Sequence, residues 1–271
     1  MPTRRLLIAA ACLALGGSVS VHAREGVSSG LGEVYAVLSS KRFVDLTHAF
    51  DGDSPHWKGF EAMNVRSLYT IEKDGFHAQE FCHVGQWGTH VDPPAHFHNG
   101  LKTVDQIDLQ DMLLQLVVLD VHEQAAHDPD YVIKIDDVLA WERRHGRIPA
   151  HAFVALRTDW SRRWPDDVRM QNRDPDGVAH YPGWSRDVLK LLYEKRRITA
   201  SGHETTDTDP GIATSKDDYS LESYVLGLNH YQVELLTNLD QVPETGALVF
   251  VSFPKPRAGS GFPARVLAIL P

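Results

Sequence analysis

The sequence predicts one α/β domain built on a mixed sheet. Three observations predict it. Short apolar runs bounded by turn residues, Leu116–Val121 and Phe153–Arg157, read as buried strands. Ile135–Glu142 and Ser185–Lys195 read as helices, the second amphipathic and the first with Asp136 and Asp137 at its positive N-terminal end. The two kinds of element mix without the strict alternation of a purely parallel sheet.

Taken in order, the chain opens with a basic pair, Arg4 and Arg5, an apolar run Leu6–Leu15, and Val21-His22-Ala23. This is the pattern of a cleavable secretory signal over residues 1–23, and it predicts a periplasmic or secreted protein. Thr3 before the arginine pair loosely fits a twin-arginine signal, and the apolar run is too short to span a bilayer. Cleavage after Ala23 would leave about 248 residues, enough for one domain with a sizeable core. Residues 24–40 read as a lead-in with a short helix, Val34–Ser39, and 41–271 as the domain, since no repeat, low-complexity block or Gly/Ser linker divides it.

Phe43–Thr47 and Val65–Ile71 read as strands, as does Phe76–His90. Asp51–Lys58 is a loop carrying Trp57. Thr103 with Gln106 marks a helix start. Trp160–Pro182 reads as a long polar loop of the kind that serves a binding surface. Ile198–Ser201 is a strand, Gly202–Tyr219 a loop, and Leu221–Leu226 a helical turn able to end at Gly227. Ala247–Phe253 and Arg265–Leu270 are two late strands. The formal charge of −9 becomes more negative once Arg4 and Arg5 are removed, and there is no basic run. Nucleic acid and anionic lipid are therefore poor partners. With the leader gone only Cys82 remains, so no internal disulfide can form; it reads as a small buried hydrophobe rather than a ligand.

The densest chemistry lies at Gly85–His98, which holds Gln86, His90, Asp92, His96 and His98. Histidine and aspartate are good ligands for a borderline divalent metal. If Val84–Asp92 is one extended strand, Gln86, Gly88, His90 and Asp92 share a face. Pro93-Pro94 ends that strand and lets the chain bring His96 back. The pattern reads as a metal centre with a nearby proton-transfer histidine. Trp57 can stack on an aromatic substrate, Trp87 reads as a core aromatic, and His203 and His230 are further candidates to line a pocket. There is no Gly-x-Ser-x-Gly elbow of a serine hydrolase. A two-His-one-carboxylate Fe(II) oxygenase starting from His90-x-Asp92, with His203 or His230 as third ligand, and a periplasmic metal- or small-molecule-binding protein without turnover both stay open.

Gly88-Thr89-His90-Val91-Asp92-Pro93-Pro94-Ala95-His96-Phe97 closely resembles the signature of the metal-dependent cyclase/hydrolase family, which includes bacterial kynurenine formamidase and isatin hydrolase. Other segments agree in order: Phe43–Thr47, Ser54-Pro55-His56-Trp57, Phe153–Trp160, Gly202–Asp207, Asn229–Pro243 and Gly259–Arg265. The resemblance spans about residues 43–270. It implies a swivelling β/β/α core, a homodimer or homotetramer, and hydrolysis of an amide-type C–N bond in an aryl formamide or cyclic amide by metal-activated water. It implies His90, Asp92 and Glu234 as ligands of one or two divalent ions (Mn²⁺ or Zn²⁺), His96 as the proton-transfer residue, and Trp57 at the substrate. Gln86 and Glu222 stand where the kynurenine formamidase pattern has histidine ligands. An amide oxygen and a carboxylate in place of two imidazoles shift the preference toward a single ion or a harder one such as Mn²⁺.

Overall fold

The computed structural model describes residues 30–271, so the leader over 1–23 and residues 24–29 of the lead-in lie outside the described residues. Helix α1, Gly30–Ser39, has no buried residue and belongs to a separate unit from Lys41–Pro271. Within the latter the strands are β1 (Phe43–Asp45), β2 (Asn64–Tyr69), β3 (Ala78–Cys82), β4 (His90–Asp92), β5 (Leu113–Asp120), β6 (Phe153–Arg157), β7 (Ala200–His203), β8 (Tyr231–Glu234), β9 (Ala247–Ser252), β10 (Phe262–Pro263) and β11 (Arg265–Ile269). No helix among the described residues is long and apolar enough to cross a membrane.

Nine strands form one mixed sheet in the order β1-β11-β9-β5-β6-β7-β8-β4-β10. Its centre, β5 through β8, is parallel, and every other pairing is antiparallel. Strand β5 shows why its run is continuously apolar. Val117 and Leu119 face one cluster, with Trp141, Val188 and Val225 from the covering helices and Trp184 from the loop before one of them. Leu116 and Val118 face the other, with Val233, Val249 and Val266 from the sheet itself. Side chains alternate faces along a strand, so a strand buried on both sides reads as an unbroken hydrophobic run. Each such fully buried side chain contributes roughly 1.5–3 kcal/mol.

The sheet curls. Thr47, just past β1, bridges Leu236, just past β8, and the Thr237 amide donates to the Leu46 carbonyl, although β1 and β8 lie far apart in the strand order.

The expected elements occur with shifted ends, and three expectations are corrected. Phe76–His90 is not one strand: β3 stops at Cys82 and pairs only with β2, and the main sheet is entered at His90. Between them the backbone makes contacts no strand allows. A Cβ at Gly85 would stand 2.3 Å from the Gly261 carbonyl oxygen, and Gly88 lies at φ 59° against Phe50. Gln86 and Gly88 therefore do not share a strand face with His90 and Asp92. Cys82 is exposed rather than buried. Trp160–Pro182 is partly ordered structure, with a helical turn at Trp160–Arg163, a helix at Asp167–Gln171, and Trp160, Met170, Ala179 and Tyr181 buried in a small cluster of their own.

Candidate active site

Cross-strand register assembles the site. β4 and β8 are antiparallel, with His90 opposite Glu234 and Asp92 opposite Gln232. The polar face of both strands points inward. The Nε2 atom of His90 lies 3.4 Å from Asp92 Oδ2 and 3.5 Å from Glu234 Oε2. The chain then leaves β4 through Pro93-Pro94 into a short turn, Pro94–His96, which delivers His96 to 3.9 Å from Glu222. Glu222 comes from the helix Ser220–Gly227, whose first turn is fixed by Asp209: its carboxylate accepts the amides of Leu221 and Glu222 at 2.9 and 3.0 Å. His98 ties the turn to the same helix through the Ser223 carbonyl at 2.7 Å.

Two overlapping groups of ligand atoms result, His90/Asp92/Glu234 and Asp92/His96/Glu222, each lying within 4.8 Å of one another and sharing Asp92. The residues fit a divalent cation on three counts. Asp92 Oδ1 is buried without a hydrogen-bond partner. The Nδ1 of His90 contacts the Gly88 carbonyl at 2.8 Å, which makes Nδ1 the protonated nitrogen and leaves the Nε2 lone pair facing the carboxylates; ligating histidines are commonly oriented this way. Finally, Glu222 and Glu234 are pushed well above the ordinary carboxylate range, chiefly by burial and then by neighbouring carboxylates. So many buried acids are held most simply by a cation. The Asp92 carboxyl is held low despite its burial, because His90 lies against it, and His90 is raised by the same contact against its own burial.

Above this floor is a cavity of about 310 Å³. Its walls are Trp57, Phe60, Phe97 and Leu235 on the apolar side, with His56, Gln86, Thr206, Asp207 and Tyr219 supplying polar groups. Trp57 is held by its indole N–H donating to Tyr219 Oη at 2.8 Å, and its ring packs edge-on to Phe60. Gly59 lets the ring lie against the chain, because any Cβ there would collide with it. Gln86 is on the wall, its amide donating to the Ser260 carbonyl at 2.6 Å. The structure thus brings His90, Asp92, His96, Glu222 and Glu234 together and sets Trp57 and Gln86 around them. Glu222 is buried, so it is not a solvated helix residue. Trp87 is core, its N–H donating to the Asp51 carbonyl.

Several supporting residues escaped the sequence reading. Gln232 donates to Glu234 Oε1 at 3.1 Å and toward Asp92 Oδ2 at 3.4 Å, and it accepts from Thr208 at 2.7 Å. It sits two positions before Glu234, so reading Tyr231–Glu234 as a strand would have placed it on the same face. Asp207 accepts from Tyr181 and Thr206, and burial raises its carboxyl. Leu235 stands at φ 55° directly after Glu234, an uncommon conformation for leucine. It is pinned by Thr89 Oγ1 donating to its carbonyl and by its amide donating to Thr205. Of the two further candidate histidines, His203 is buried with Nε2 at 3.3 Å from Glu234 Oε1, whereas His230 contacts the Thr199 carbonyl and lines a different, small crevice.

Comparison with known proteins identifies the family. The model of the Cyclase family matches residues 44–210. The chain belongs to this family. It is 31% identical over 221 residues to an isatin hydrolase of Roseibium aggregatum, covering 79% of this chain and 83% of the relative. Among solved structures, isatin hydrolase A from Ralstonia solanacearum superposes with a TM-score of 0.84 at 31% identity, over 92% of this chain and all of that one. An isatin hydrolase bound to the product analogue thioisatinate gives 0.83 at 27% identity, over 90% and 99%.

Proposed function

We propose that this member of the Cyclase family is a metal-dependent hydrolase that opens the amide C–N bond of a small aromatic cyclic amide, of the isatin type. The observation that carries the reading is the buried His90/Asp92/Glu234 set directly beneath an aromatic-walled cavity. A divalent ion held there would lower the pKa of a bound water to about 7 and polarise the amide carbonyl. The anionic, oxygen-rich donor set, with one imidazole in its first group, favours a hard ion such as Mn²⁺ over Zn²⁺.

The remaining chemistry belongs to the chain. Trp57 and Phe60 hold the aromatic ring. His96 is kept neutral because burial lowers its pKa more than Asp92 raises it, so it can accept the proton of the attacking water and return it to the departing nitrogen. Glu222 stands 3.9 Å from that imidazole, on the wall of the same cavity. Gln86 is placed to contact a second polar group of the substrate. The chain would act after export to the periplasm or outside the cell, as a homodimer or homotetramer.

The oxygenase reading lacks a third ligand: His230 is outside the cavity, and the indole N–H of Trp184 points at His203 Nδ1, which puts the proton of a neutral imidazole on the nitrogen that faces the site. The test is a panel of isatin, formylated aromatic amines and cyclic imides, given to purified protein with Mn²⁺. Ring opening of isatin in preference to the open-chain formamides supports the reading. Binding without turnover of any member would make the protein a binding module instead.

A further inference from the structure

Two buried histidines face Glu234, and their hydrogen bonds give them opposite tautomers. His90 uses Nδ1–H toward the Gly88 carbonyl. In His203 the roles are reversed: the indole N–H of Trp184, which can only donate, points at Nδ1 at 3.3 Å. Nδ1 must then accept, so a neutral imidazole carries its proton on Nε2. That nitrogen is buried, has no well-aligned partner, and stands 3.3 Å from Glu234 Oε1. It holds an N–H where a metal ligand would need a lone pair.

We infer that Trp184 locks His203 as an N–H donor, which makes His203 a positioning residue that steers the Glu234 carboxylate toward the metal and cannot itself ligate. The inference rests on the metal reading of the site. The other contacts of Glu234 fit it. Gln232 donates to the same oxygen, Oε1, while Oε2 faces His90. With Gln232 and Thr208 donating to Oε1 and the His203 Nε2–H standing beside it, Oε2 is left as the free, ligating oxygen. The lock lies in the core: Trp184 is fully buried, and Gly202, next to His203, has no room for a Cβ beside Phe153, Leu236 and the Val233 carbonyl. Backbone and indole together fix the ring.

The experiment has two readouts on the full-length chain. Long-range ¹H–¹⁵N spectra of histidine-labelled protein, metal-free and with Zn²⁺, report the His203 tautomer. Mn²⁺ affinity is measured by calorimetry for wild type, Trp184→Phe, His203→Leu and His203→Gln, with melting followed for each. The expected result is the Nε2–H tautomer in wild type, and Mn²⁺ affinity reduced about 10- to 100-fold in Trp184→Phe and His203→Leu, the range for residues that orient metal ligands. His203→Gln, which keeps an N–H donor, should recover most of that loss. A wild-type His203 in the Nδ1–H form, or a folded His203→Leu that binds Mn²⁺ as tightly as wild type, overturns the inference while leaving the metal site intact. A wild-type chain that takes up no divalent cation overturns the metal reading itself.

Discussion

His90 and His96 lie six residues apart, and the structure gives them separable work. His90 is buried with its Nε2 against two carboxylates, whereas His96 is partly open to the cavity and comes no nearer than 3.9 Å to Glu222. His90→Ala should therefore remove both bound metal and activity, and metal analysis of the purified variant checks it. His96→Ala should keep most of the metal and lose about 10²- to 10⁴-fold in turnover, the usual contribution of a general base; full activity in that variant would end its assigned role. At this scale the sequence was legible where ligands are neighbours in the chain. His90, Asp92 and His96 lie within seven residues, and their types announce a metal. Glu234 and Glu222 came only through the family resemblance. Gln232, Asp207, Asp209, Tyr219 and the Trp184–His203 pair were not legible, because each meets the site through pairing or packing between distant segments.

The element that decides the site is the β4–β8 pair. A strand normally turns its polar face to water, but here His90, Asp92, Gln232 and Glu234 turn theirs inward. That inversion is why Tyr231–Glu234 did not read as a strand, and why Val84–Asp92 read as a longer strand than it is. The pair is fastened by Thr89, whose hydroxyl donates to the Leu235 carbonyl at 2.6 Å and accepts the His48 amide at 2.9 Å. Thr89→Val keeps the shape and strands both backbone groups. It should cost about 1–3 kcal/mol, the penalty for a buried unsatisfied polar group, and weaken metal binding as Leu235 relaxes from its left-handed conformation beside Glu234. Chemical denaturation and metal titration of the one variant check both; unchanged stability would show that Thr89 does not hold the pair.

At the scale of the whole molecule, a mixed sheet with a helical face was legible from its doubly buried strands. The curl itself was not, since it depends on Thr47 meeting Leu236 across the sheet. The fold concentrates buried acid at one end, and this sets a pH dependence. The carboxyls of Glu222 and Glu234 lie well above their ordinary value of 4.5, first through burial. Above that ordinary value, and up to the raised folded ones, the folded, metal-free protein thus holds protons that the unfolded chain has released. Stability falls with rising pH wherever the folded state binds more protons, and His90, raised as well, acts in the same direction. His48, His96 and His203, all lowered, oppose this trend only near and below their ordinary value of 6.5, while the unfolded imidazoles still carry protons. Chelator-treated protein should melt at a lower temperature at pH 8 than at pH 6.5. Mn²⁺ should reverse the trend by replacing those protons. A melting temperature that rises with pH in the chelated protein would contradict the acidic character assigned to the site.

The most direct measurement follows isatin opening while Mn²⁺ is titrated back into metal-stripped protein, with bound metal measured in the same samples. The account predicts negligible turnover in the stripped chain and activity that rises in step with occupancy until the His90/Asp92/Glu234 set is filled. Full turnover by the stripped chain, or metal uptake with no gain in activity, would contradict it.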